Sequence, residues 1–197
     1  DEQVTIVIAL GTHRPMTQSE MEDVVGREIC RRFRVLNHDP DDTICLGVTQ
    51  RGTPVEIFRP VVEADFRVCL GNLELHYFAG FSGGVKAIFP GCASKAAITA
   101  NHAWMVEPGA RPGKLRGNPV REDIEEVGTM LGVDFILNVI VDSQHRILAA
   151  FAGDPKAAHS RGCDYVRQRG VIALSKPADI VVASAGGYPK DINLYQA

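Results

Sequence analysis

The chain carries no CxxC pair, and its five cysteines (Cys30, Cys45, Cys69, Cys92 and Cys163) are an odd number. A disulfide framework or a structural zinc site needs paired, closely spaced ligands, so the sequence supports neither; free, mostly buried thiols of a reducing cytosol are expected. No apolar run approaches a membrane span, and no charged-then-apolar leader precedes Thr5-Ile6-Val7-Ile8. The expected setting is therefore cytoplasmic, with no membrane partner. A net charge of −3 provides no basic surplus, so nucleic acid is not an expected partner. Two phosphate-gripping signatures are also missing. No GxGxxG follows the first apolar run, and Lys86 has Val85 before it and Ala87 after it, where GxxxxGK[ST] demands a glycine and a hydroxyl. Internal repeats and low-complexity tracts are absent.

What is present is an alternation of short apolar runs with amphipathic segments. "VTIVIALG" (4–11) is β-branched and ends in glycine, as a buried strand would. Thr17 and Glu20 form a capping box ahead of Met21, Val24, Val25, Ile29 and Phe33, which predicts one helix over 17–33. Residues 43–61 read as two strands joined around Arg51-Gly52, with Pro60 ending the second. Residues 64–76 alternate into a strand running up to His76. A helix is expected over 92–105, a loop or linker over 107–119, and a helix from Asn118-Pro119 to about Leu131. Strands at 134–142 and 146–154, a helix from Asp154-Pro155 to about Arg169, and a last strand in "ADIVVASAGG" (178–187) complete the chain. The fold class expected is α/β, a mainly parallel sheet with helices packed on it, as part of a larger two-domain protein. Residues 1–197 form the core of its catalytic domain, with 185–197 leading into the second.

Ligands of open α/β sheets gather at the carboxyl ends of strands. Two such ends carry histidine: the first strand runs into Gly11-Thr12-His13, and another runs into His76. His102 follows a helix, while His38, His145 and His159 have no comparable setting and are expected at the surface. "FSGGVKAIFPG" (81–91) places Gly83-Gly84 just before Lys86 and closes with Pro90-Gly91. Paired glycines mark a tight turn or a close backbone approach. An amine among Val85, Ala87, Ile88 and Phe89 loses proton affinity, which would suit a Schiff base; a snorkelling surface lysine would leave the glycines unexplained. The residues alone point to an enzyme-like site with Lys86 and up to three histidines, without naming the reaction.

The run "HYFAGFSGGVKAIFPGCASKAAITANH" (76–102), with its H-x9-K-x15-H spacing, resembles the signature of the lactate racemase family. The likeness continues in "GTHRPMT", "GNPVREDIEEVG", "NVIVD", "AGDPKAAH" and "SAGGYPKDINLYQ", nearly the whole chain. It implies a nickel-pincer nucleotide: a pyridinium mononucleotide with two sulfur-containing acyl groups, tethered through a thioamide to a lysine at the position of Lys86. It implies that His102 is the one histidine ligand to nickel, a soft-donor square-planar arrangement. His13 and His76 match the family's acid/base pair, which handles the hydroxyl proton of a 2-hydroxy acid on its two faces. Ser82, Gly83, Gly84, Pro90 and Gln196 fall at cofactor-contacting positions. The resemblance further implies transient contact with cofactor-synthesis enzymes. The family has functional residues upstream of Asp1 and a lysine beyond Tyr195-Gln196, so the chain is expected to be cut at both ends and inactive alone. A Schiff-base lyase using Lys86 and a noncatalytic nucleotide or hydroxy-acid binding module are the competing readings.

Overall fold

The computed structural model describes residues 2–172, 174–182 and 184. β1 (Thr5–Ile8) and β2 (Arg34–Asn37) pair in parallel, Thr5 opposite Arg34. The capping box forms between them: the Thr17 hydroxyl accepts the Glu20 N–H at 3.3 Å, and the Glu20 carboxylate accepts the Thr17 N–H at 2.7 Å. The single helix expected over 17–33 is instead two, α1 (Gln18–Val25) and α2 (Arg27–Arg32). Gly26 stands between them at φ 94°, which a right-handed helix cannot contain. β1 is also less buried than expected; the buried residue is Leu10, just beyond its end.

β3 (Thr43–Val48) and β4 (Pro54–Phe58) form the expected hairpin around Arg51-Gly52, and Pro60 lies in the first turn of the short α3 (Arg59–Val62). β5 (Val68–Asn72), β6 (Leu75–His76) and β7 (Gly80–Phe81) follow. α4 (Lys95–Ala103) is capped by Ser94, and α5 (Pro119–Leu131) by Asn118. β8 (Phe135–Val141) and β9 (Ile147–Gly153) form a hairpin, and α6 (Pro155–Gly170) packs back on it.

The α/β class is as expected, but the pairing is mixed. Among the described residues there are four small sheets; β1–β2 and β5–β8 are parallel, while β3–β4, β6–β7 and β8–β9 are antiparallel. Connection length is the reason. The links at 49–53 and 142–146 are too short for the crossover a parallel pair needs. The main core joins β4, α4, α5 and the parallel β5–β8 pair around Ile57, Phe89, Ile98, Ile124, Val127 and Ile136. A smaller cluster of Leu73, Phe81, Ile140, Cys163 and Val166 lies under α6. Cys69, Cys92 and Cys163 are buried free thiols.

Residues 107–118 of the loop expected over 107–119 are fastened to the domain, Pro119 already belonging to α5: the Gly113 N–H donates to the Gly80 carbonyl at 2.9 Å, and the Asn118 amide donates to the Phe78 carbonyl at 2.8 Å. The strand expected over 178–187 is not seen in its described part. Residues 178–182 lie outside any strand, and Ile180, Val181 and Val182 are exposed; most of the rest of that segment, and Gln196, lie outside the described residues. No helix among the described residues is long and apolar enough to cross a membrane.

Candidate functional site

The site is built on the chain between β5 and α4. The strand expected to run unbroken into His76 stops at Asn72, because Ser82 folds the chain there. The Ser82 hydroxyl donates to the Asn72 carbonyl and accepts the Glu74 N–H, each at 2.9 Å. His76 then pairs with Gly80 in the small β6–β7 ladder. Gly83 and Gly84 follow at φ 71° and 62°, and a 3-10 turn, Gly84–Ala87, carries Lys86. Both glycines are required by neighbours as well as by φ. A Cβ at 83 would lie 2.8 Å from Asn138 Oδ1, and one at 84 would lie 2.9 Å from the His159 ring. The paired glycines therefore have an internal packing reason, and the Gly84 N–H is already donated to Asn138 Oδ1 at 2.8 Å. Pro90 is buried after a cis peptide, and the Gly91 carbonyl accepts the Gly11 N–H at 2.8 Å. That bond brings the turn bearing His13, an exposed residue, up to the end of the Lys86 segment.

Electrostatics single out Lys86. Burial, and then the nearby Arg121 cation, lower its amine to about 8, against a smaller opposing pull from Glu74. Its amine has no hydrogen-bond or ion-pair partner among the described residues. His76 is pushed down to about 3, first by burial and then by Lys86, Arg121 and His102. Its ring stacks on Tyr77 at 4.8 Å and meets the Phe78 edge at 4.6 Å. The Ala79 N–H donates to its Nδ1 at 3.2 Å, so the neutral ring carries its proton on Nε2. Phe78 also packs against His102, centroids 5.0 Å apart, so one aromatic ring joins the two histidines. His102 is lowered by burial and by Lys86; its Nδ1 is buried without a hydrogen-bond partner, the Ile98 carbonyl one turn back standing outside bonding geometry. An open cleft of about 560 Å³ lies away from these residues, with Arg51 and Lys156 facing Glu122, Glu125 and Glu126. It contains none of the expected site residues, and its Arg51–Glu122 pair closes at 2.9 Å.

Three polar side chains that sequence reasoning missed hold this segment in place. Arg121, 1 % exposed, donates to the Ala79 carbonyl at 3.2 Å, to the Phe81 carbonyl, and to Glu125 at 3.2 Å. Asn138, mid-strand in β8, is fully buried. His159, 4 % exposed, has Nε2 2.9 Å from the Ser82 carbonyl. The surface placement expected for His159 is thus wrong, because α6 turns it inward with Gly162, Cys163 and Val166. His38 is corrected likewise: it is 2 % exposed, edge-on to Phe58. A signal existed for Arg121, since it shares an i, i+3, i+7 stripe with Ile124 and Gly128 and so must face inward.

Against known proteins, residues 1–113 match the family model described as lactate racemase N-terminal domain. The chain belongs to the lactate racemase family. A lactate racemase of Thermoanaerobacterium thermosaccharolyticum is 42 % identical over 199 residues, covering 98 % of the chain and 46 % of that protein. A lactate racemase of Lactiplantibacillus plantarum is 37 % identical over 205 residues, covering all of the chain and 47 % of that protein. The solved lactate racemase apoprotein from T. thermosaccharolyticum superposes with a TM-score of 0.92 at 42 % identity, over 99 % of the chain and 48 % of its own. A Thermotoga maritima structure gives 0.70 at 25 % identity, over 83 % of the chain and 46 % of its own. The chain thus spans about half the length of the relatives it matches.

Proposed function

We propose that the protein to which this chain contributes is a racemase or epimerase of a lactate-like 2-hydroxy acid. One observation carries the reading: in a lactate racemase family chain, Lys86 presents a desolvated amine, unpaired among the described residues, whose charge is felt by both His76 and His102. The residues fit the nickel-pincer nucleotide that the family resemblance implies. Lys86 would hold it covalently, and His102, with a neutral ring and a buried unpartnered nitrogen, would offer nickel one ligand. Among the described residues no three His, Cys, Asp or Glu side chains converge on a metal position, so the remaining donors would come from the organic group. When bound, that group would accept the hydride of the substrate 2-carbon and return it.

The chain's own residues then have separable tasks. Racemisation needs one proton acceptor for each enantiomer's hydroxyl, on opposite faces, and His13 and His76 fill the two roles. His76 is neutral at pH 7, as a base must be. Its basic nitrogen, Nδ1, is occupied by the Ala79 N–H in this structure, so taking the substrate's hydroxyl proton requires the ring to give up that bond. Phe78 and Tyr77 hold the ring between them.

The test is intact-mass spectrometry and nickel analysis of the full-length parent, co-produced with a cofactor-synthesis system. An adduct mapped to Lys86 with near-equal nickel, lost in Lys86→Ala, is the expected result. No adduct under conditions that load a family relative would sink the reading. A borohydride-trapped keto acid on Lys86 would instead identify a Schiff-base lyase, which the lowered amine proton affinity also suits.

A further inference from the structure

We infer that His159 is a positioning residue for Lys86, holding the Ser82–Gly84 turn from which the amine is presented. The inference rests on reading Lys86 as the attachment point. A carbonyl can only accept, so the 2.9 Å approach of His159 Nε2 to the Ser82 oxygen puts the ring proton on Nε2. The Cys163 thiol lies beside the ring, its Sγ 3.7 Å from Nδ1 and 3.6 Å from Nε2. Nε2 is therefore committed to the Ser82 carbonyl, and the ring as a whole is enclosed by the fold. Burial, then the Arg121 charge, lowers the ring to about 4, so it stays neutral and takes no part in proton exchange near pH 7.

Its position sets the turn. The ring edge occupies the space a Cβ on Gly84 would need, at 2.9 Å. Asn138 grips the same turn from the sheet by accepting the Gly84 N–H, and Arg121 grips the preceding carbonyls of Ala79 and Phe81. The Lys86 N–H donates to the Gly83 carbonyl at 3.3 Å, so the backbone that carries the amine continues directly from the clamped residues. α6 supplies a rigid mount. Asp154 caps it through the Ala157 N–H at 2.8 Å, and Gly162 lies so close to Leu73 and Phe151 that no Cβ fits there. Freed from the Ser82 bond, the turn would let Lys86 drift by the ångström or so that costs an oriented reaction heavily.

His159→Gln and His159→Asn, made in the full-length parent, separate the bond from mere bulk. Glutamine can place an N–H where Nε2 stands; asparagine is too short to reach the Ser82 carbonyl. Two readouts apply: the covalent adduct at Lys86 when cofactor is limiting, and the pH midpoint of Lys86 acetylation by acetic anhydride in cofactor-free protein, with exposed Lys95 as internal standard. For His159→Asn we expect adduct formation to fall at least about tenfold and the acetylation midpoint of Lys86 to rise above about 8. His159→Gln should keep both near wild type. Wild-type behaviour of a folded His159→Asn protein overturns the inference, as does an equal loss in both variants. If asparagine prevents folding, His159→Phe, which keeps the ring and removes the donor, must show the same losses or the inference fails. The acetylation readout needs no cofactor, so failure of the wild type to load at Lys86 would count against the proposed function and leave this result standing.

Discussion

Replacing Lys86 with methionine should make the cofactor-free protein more stable at neutral pH. An ordinary lysine holds its proton to 10.5, whereas burial and Arg121 lower Lys86 to about 8. At about 1.4 kcal/mol per tenfold change in proton affinity, burying the charged amine costs about 3 kcal/mol of folding stability when both states are protonated. No ion pair among the described residues offsets it. The sign follows from proton counting. Below pH 8 the folded and unfolded states hold equal protons and the penalty is complete. Between 8 and 10.5 the unfolded state holds more, so wild-type stability rises with pH through that window, and above it the penalty is gone. Urea unfolding of the full-length parent from pH 6.5 to 10.5 reads this directly. Lys86→Met should exceed wild type by about 2–3 kcal/mol at pH 7 and converge with it near pH 10.5. A gap below about 0.5 kcal/mol at pH 7, or one that does not narrow with pH, would refute the claim that this amine is held desolvated and unpaired.

The same variant should raise His76, since Lys86 is among the like charges lowering it to about 3; burial, the larger cause, remains, so an NMR titration should find the midpoint higher but still under 6.5. Asn138→Leu leaves the buried Gly84 N–H without an acceptor and should lower stability by about 1–3 kcal/mol in urea unfolding, with an unchanged denaturant slope. Gly128→Ala puts a Cβ 2.7 Å from Val85 Cγ1. It should cost about 1–3 kcal/mol by overpacking, and, because Val85 neighbours Lys86, should also slow acetylation or loading there.

Local physics was legible in the sequence wherever cause and effect lie within a few residues. The Thr17–Glu20 box, the Arg51-Gly52 hairpin, the Asn118-Pro119 start and the 143–145 turn all rest on short-range bonds and appear where expected. Gly26 was the local signal passed over: the apolar spacing of 17–33 continues through it, but its positive φ breaks the helix. The parallel sheet was overestimated because alternation of strands and helices says little about short links such as 142–146, and these decide the pairing.

The Gly83-Gly84 pair shows where such reading ends. From the sequence, adjacent glycines beside a lysine suggest backbone approaching a ligand. In the fold the side chains that exclude a Cβ belong to the protein: Asn138, 54 positions from Gly84, and His159, 77 positions from Ser82. Nothing near the glycines encodes those neighbours, and both are polar residues that a surface would accept equally well. They become necessary only when β8 and α6 arrive against the turn. The candidate site residues His76, Lys86 and His102 could be singled out because residue type and spacing alone suggest their chemistry. Arg121, Asn138 and His159 act through the backbone of other residues, so their importance exists only in three dimensions. Substitutions at these three positions should therefore disturb Lys86 without touching any group that reacts.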